Sequence, residues 1–156
     1  MLVEILREKI TEMPYVKLAY LFGSRVSGHV GASSDYDVGV LLDSDADALA
    51  ATTRIAHELA LTLHTDHIDV VALNRAPIEL AHTVIAQGQL FYQRNNVTRV
   101  EYEAQVMSRY GDYLPVLRAQ REELLQESDY APRIQRYRTA LRRTERTLGE
   151  IAAISG

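Results

Sequence analysis

Apolar residues at Leu2, Ile5, Leu6, Ile10 and Met13 recur three or four positions apart, the spacing of one helix face, and Pro14 closes the pattern. From Val16 to Phe22 the period shortens to two. Leu18, Tyr20 and Phe22 alternate there against Lys17 and Ala19, which predicts a strand. A second strand carries Tyr36, Val38, Val40 and Leu42 on one face. Asp43-Ser44-Asp45 then supplies helix-start residues, and Leu49, Thr53, Ala56, Leu59, Ala60 and Leu63 predict an amphipathic helix over Ala46 to Leu63. Ile68 to Leu73 reads as a third strand. Pro77 is placed to open a short helix through Ile85, Gly88 ends it, and Gln89 to Tyr92 reads as a last strand.

Asn95-Asn96 is a turn signal, and the chain beyond it becomes helical. Val97 to Gln126 places Tyr102, Val106, Tyr110, Tyr113, Leu117 and Leu124 on one face, with Gly111 and Pro115 expected to bend or break the helix. A second helix, from about Pro132 to Ile154, sets Ile134, Tyr137, Leu141, Leu148 and Ile151 opposite Arg133, Arg136, Arg138, Arg142, Arg143 and Arg146. The expected fold class is α/β (α+β). A small sheet flanked by helices fills residues 1–94, and a C-terminal helical hairpin, residues 95–156, packs on that core or on a partner.

Composition narrows the function classes. At 156 residues and 47% hydrophobic content, the chain can bury a proper core. A net charge of -4 argues against general nucleic-acid binding, which usually shows a basic domain. The absence of cysteine excludes disulfides, thiolate metal sites and a cysteine nucleophile. The N-terminus carries charges within its apolar pattern, unlike a signal peptide, and no apolar run approaches membrane-spanning length. The expectation is a cytoplasmic protein.

The chemistry concentrates between Leu21 and Leu42. Gly23-Ser24 follows the first strand, where glycine permits a sharp turn and serine offers a hydroxyl and free N–H groups to an anion. Gly28 and Gly31 keep the following loop thin. Asp35 and Asp37 flank Tyr36, so alternation sends both carboxylates to one side and Tyr36 to the other. Like charges on a half-buried strand repel and are costly to desolvate, and a divalent cation relieves both. Asp69, in the third strand, is the third candidate ligand. His64-x-x-His67 lacks a further ligand pair at zinc spacing, and these read as surface histidines. His29, in the loop, is a candidate phosphate contact, and Tyr92 and Tyr102 are candidates for stacking on a base. The chain has neither a Gly-x-Ser-x-Gly elbow nor a P-loop.

Gly23-Ser24, Asp35-x-Asp37 and the later Asp69 resemble the nucleotidyltransferase superfamily of DNA polymerase β. Length and layout look most like its minimal members, the MntA-like antitoxins often encoded beside a HEPN-domain toxin. The resemblance covers roughly residues 16–92 and implies a mixed αβ palm. It further implies that Asp35, Asp37 and Asp69 bind Mg²⁺, two ions in all, and carry catalysis, Asp69 helping to activate the attacking hydroxyl. Gly23 and Ser24 would contact the triphosphate of ATP. Many relatives read Gly-Ser-x-Ala-Arg-Gly, whereas this chain has Gly23-Ser24-Arg25-Val26-Ser27-Gly28, leaving Arg25 to supply the positive charge.

The implied activity is transfer of AMP from ATP to a hydroxyl, a tyrosine of a cognate HEPN toxin, by a protein acting as antitoxin. The expected partners are that toxin, in a possible hetero-oligomer, and ATP, with no membrane and no direct nucleic-acid contact. Two alternatives stand beside it: a non-catalytic antitoxin that acts by binding, and a nucleotidyltransferase that modifies an aminoglycoside-type small molecule.

Overall fold

The computed structural model describes residues 1–26, 35–126 and 131–155, with the side chains of 131–138, 140, 141 and 155 outside that description. In chain order the elements are α1 (Leu2–Thr11), β1 (Val16–Phe22), a 3-10 turn (Gly23–Arg25), β2 (Tyr36–Leu42), α2 (Ala48–Leu63), β3 (Ile68–Ala72), α3 (Ile78–Gln87), β4 (Gln89–Gln93), α4 (Asn96–Gln126) and α5 (Ala131–Ser155). The four strands form one sheet in the order β3-β2-β1-β4. β1 runs antiparallel to β2 and β4, whereas β2 and β3 are parallel. A parallel pair needs a crossover, and α2 supplies it. The α/β class with a small mixed sheet is therefore present.

Helices cover both faces of this sheet. On one side Val16, Ala19, Leu21, Val38 and Val40 pack with Leu6 and Ile10 of α1 and with Ile55 and Leu59 of α2. On the other, Leu18 and Tyr20 pack with Leu73 and with Val84 of α3. β1 is thus buried on both faces: Ala19, on the polar side of the expected alternation, is fully buried.

Three local expectations change. α2 begins at Ala48, capped by Asp47, whose carboxylate accepts from the Ala50 N–H at 3.2 Å. Asp43, expected to start that helix, instead pairs with Arg94, whose Nη1 and Nη2 lie 2.8 and 3.0 Å from the two carboxylate oxygens. Arg94 Nη2 also donates to the Pro14 carbonyl at 2.6 Å, tying the end of β4 to the loops beside it. In α2 the face toward the core is Ala51, Ile55 and Leu59, while Leu49 is 78% exposed and Thr53 is exposed. Finally, α4 runs without a break through Gly111 and Pro115. The proline forfeits the backbone bond to the Gly111 carbonyl.

The chain divides into two compact units, Met1–Gly111 and Asp112–Gly156. The first extends past the Asn95-Asn96 turn because α4 starts by packing on the sheet. Val106 is buried, Tyr102 packs beside Leu18 and Tyr20, and the Tyr20 hydroxyl donates to Glu103 Oε1 at 2.9 Å. In the second unit Val116, Leu124, Leu148 and Ile151 are exposed, as are Arg142, Arg143 and Arg146. Among the described residues, no helix is long and apolar enough to cross a membrane.

Candidate active site

Strand register builds one end of the sheet into a row. Phe22 stands opposite Asp37 across the β1–β2 pair, and Asp37 stands opposite Asp69 across the β2–β3 pair. The chain leaves β1 through Gly23, whose φ of +79° is a left-handed conformation that favours glycine. The closeness of Asp37 is the second demand for glycine here. A Cβ on Gly23 would collide with Asp37 Oδ2 and stand 3.0 Å from its Cγ. Alternation along β2 sends Tyr36, Val38 and Val40 to the α1–α2 side, where all three pack, and Asp37 to the other.

The electrostatics follow from this placement. Asp37 is half-buried, while Asp35 and Asp69 are exposed. Burial pushes the Asp37 carboxyl above its ordinary range, and the negative charges of Asp69 and then Asp35 push in the same direction. Asp35 lies one residue before β2, with its Oδ1 3.1 Å from His67 Nδ1. The His67 carbonyl accepts from the Tyr36 N–H at 2.8 Å, so the β2–β3 pairing brings His67 to Asp35. His67 read as a surface histidine in the sequence. Its neighbour across the sheet becomes visible only once the parallel register is known.

Ser24 is half-buried in the 3-10 turn, which closes with the Val26 N–H donating to the Gly23 carbonyl at 3.2 Å. Arg25 lays its guanidinium over the Tyr36 ring, 3.6 Å from the centroid. Tyr92 packs against the α1–α2 side and Tyr102 against the α3–α4 side, so the core takes up both candidates for base stacking. Ser27, Gly28, His29 and Gly31 lie outside the described residues.

Asp35, Asp37 and Asp69 form an all-oxygen donor set, suited to a hard cation rather than to zinc. Among the described residues, no group of three or more His, Asp or Glu side chains stands ready to hold a metal ion. Mg²⁺ does not require one, because it is usually held by one or two carboxylates together with substrate phosphates and water. The paired Asp37 and Asp69, crowded enough to raise the Asp37 carboxyl, fit that mode.

Comparison with known proteins bears on the family and the fold. Residues 4–97 match the family described as polymerase beta, nucleotidyltransferase. The protein adenylyltransferase MntA of Aphanizomenon flos-aquae is 36% identical over 93 residues, covering 54% of this chain. The match spans 61% of that relative's length. A crystal structure of a toxin–antitoxin with AMP-PNP contains a similar chain, with a TM-score of 0.64 and 27% identity over 79% of this chain and 94% of that one. A second structure holds a tri-AMPylated Shewanella oneidensis HEPN toxin in complex with its MNT antitoxin. It matches with a TM-score of 0.61 and 25% identity over 79% of this chain and 98% of that one.

Proposed function

The chain belongs to the polymerase β nucleotidyltransferase family, and on that premise we propose that it is a Mg²⁺-dependent protein adenylyltransferase acting as the antitoxin of a HEPN-type toxin. The observation that carries the reading is the row Phe22–Asp37–Asp69 with Gly23 folded against Asp37, which sets a pair of carboxylates at the glycine-serine turn. The named activity of the Aphanizomenon relative, the AMP-PNP complex and the AMPylated HEPN toxin support ATP as donor and a toxin hydroxyl as acceptor.

In this reading Asp35, Asp37 and Asp69 would hold two Mg²⁺ ions together with the triphosphate. The metal supplies charge neutralisation of the phosphates and of the departing pyrophosphate. The N–H groups and hydroxyl of Gly23-Ser24 orient the triphosphate, and Arg25 adds positive charge at the turn. The acceptor, a tyrosine oxygen of the toxin, attacks the α-phosphorus in line. The bond to the bridging oxygen breaks, pyrophosphate leaves, and the tyrosine proton passes to Asp69, acting as general base. The reaction belongs in the cytoplasm, where ATP and a HEPN partner meet.

Growth of cells expressing a HEPN toxin tests the reading. The parent chain restores growth, and the Asp35→Asn/Asp37→Asn double variant, still folded and expressed, does not. Restoration by the double variant would replace this reading with the binding antitoxin.

A further inference from the structure

We propose that Tyr36 is a positioning residue: its ring holds the Arg25 guanidinium and thereby fixes the turn that carries Ser24. Asp37 and Tyr36 are adjacent in sequence but leave β2 on opposite faces, Tyr36 packing with the α1–α2 cluster. The turn begins on the Asp37 side, where Gly23 lies against the carboxylate. It ends on the Tyr36 side, where Arg25 stacks on the ring at 3.6 Å and Val26 packs into the same cluster as Tyr36. Residues 23–26 therefore straddle the end of β2. A cation within about 6 Å of a ring centroid is held by the ring's quadrupole. A three-residue 3-10 turn, whose Val26 N–H donates to the Gly23 carbonyl at 3.2 Å, gains position from contacts outside itself.

Tyr36 is itself well placed to anchor. Its N–H bonds the His67 carbonyl at 2.8 Å, and its register with Ile68 ties it to β3. The ring is thus a fixed platform for the Arg25 guanidinium. The consequence for catalysis rests on the proposed adenylyl transfer: a loosened turn lets Ser24 wander from the triphosphate, weakening ATP binding more than turnover. Alternation along β2 accounts for Tyr36 only as a residue on the side away from the aspartates. Its aromatic face adds a second demand on that position.

Two measurements on the full chain test this. Hydrogen exchange of the amides of residues 23–26, without nucleotide or metal, reads the clasp directly. Tyr36→Leu and Arg25→Met are expected to speed exchange there roughly fivefold, the population shift a contact of this class supports. Tyr36→Phe, which keeps the face and loses the hydroxyl, is expected to match the parent. In the transfer assay, Tyr36→Leu is expected to raise KM for ATP several-fold with kcat within about twofold, again with rescue by Tyr36→Phe. Parent-rate exchange in Arg25→Met, whose removal of a half-exposed side chain leaves the core intact, would overturn the proposal. So would a Tyr36→Phe variant as fast as Tyr36→Leu. A parent chain that transfers nothing would refute the proposed function, and the exchange measurement would still decide this inference.

Discussion

The Asp37 carboxylate occupies the space a side chain on Gly23 would need, so the turn after β1 and the central acid of β2 are built as one unit. Gly23→Ala attacks it twice, through the collision with Asp37 Oδ2 and through the positive φ of +79°. The expected result is a loss of stability of about 1–3 kcal/mol, the usual cost of a strained backbone position, together with loss of nucleotidyl transfer. Urea unfolding and a transfer assay on the same preparation check both halves. A variant as stable and active as the parent would contradict the geometry.

Asp37 is held against its own preference. Burial and the neighbouring Asp69 and Asp35 all disfavour its ionised form. An amide there removes the repulsion, so Asp37→Asn is expected to raise the stability of the metal-free protein by about 0.5–1 kcal/mol while abolishing transfer, a trade typical of functional carboxylates. Thermal unfolding in EDTA measures the gain. Added Mg²⁺ with ATP should stabilise the parent and leave Asp37→Asn nearly unmoved.

At the opposite end of the sheet, the Arg94 guanidinium holds the Asp43 carboxyl below its ordinary value of 3.8. A carboxylate whose pKa is lowered on folding adds stability above the unfolded value and loses it as pH falls through the folded one. Arg94→Met is expected to cost about 1 kcal/mol at neutral pH, high for a partly exposed pair because the contact is bidentate. The gap to the parent narrows below pH 3.8. It does not vanish, since Arg94 also donates to the Pro14 carbonyl. Denaturant midpoints from pH 7 to pH 2.5 trace the difference.

The strands were legible because alternation is a local signal: β1 begins and ends where the pattern predicts, at Val16 and Phe22. The Asp43-Ser44-Asp45 run sets the expected start of α2 too early, since the residue that caps it is Asp47. What separates Asp43 from Asp47 is Arg94, which engages Asp43 from a distant strand, and no local pattern carries that. The three aspartates were visible as a motif, and their relation came from register, Asp37 opposite Asp69, which sets the crowding at Asp37. The contacts of Asp35 with His67 and of Arg25 with Tyr36 were hidden for the same reason. Each joins residues that only the folded strand end brings together.

The buried face of α2 yields a paired prediction. Ile55 is fully buried against the sheet and Leu49 is exposed, although both lie in the same amphipathic segment. Ile55→Ala is expected to cost about 2–5 kcal/mol, and Leu49→Ala less than about 0.5 kcal/mol. Equal costs would mean that the helix presents a different face.

The central claim is covalent transfer of AMP to a HEPN partner by the carboxylates at the end of β2 and β3. It is tested most directly by incubating the purified chain with Mg²⁺, a HEPN-domain toxin and ATP labelled at either the α or the γ phosphate. The account predicts label on the toxin from the α position alone, lost when Asp35 and Asp37 are both changed to Asn. A toxin that stays unlabelled yet is silenced in a stable complex, with the double variant silencing it equally well, would contradict it.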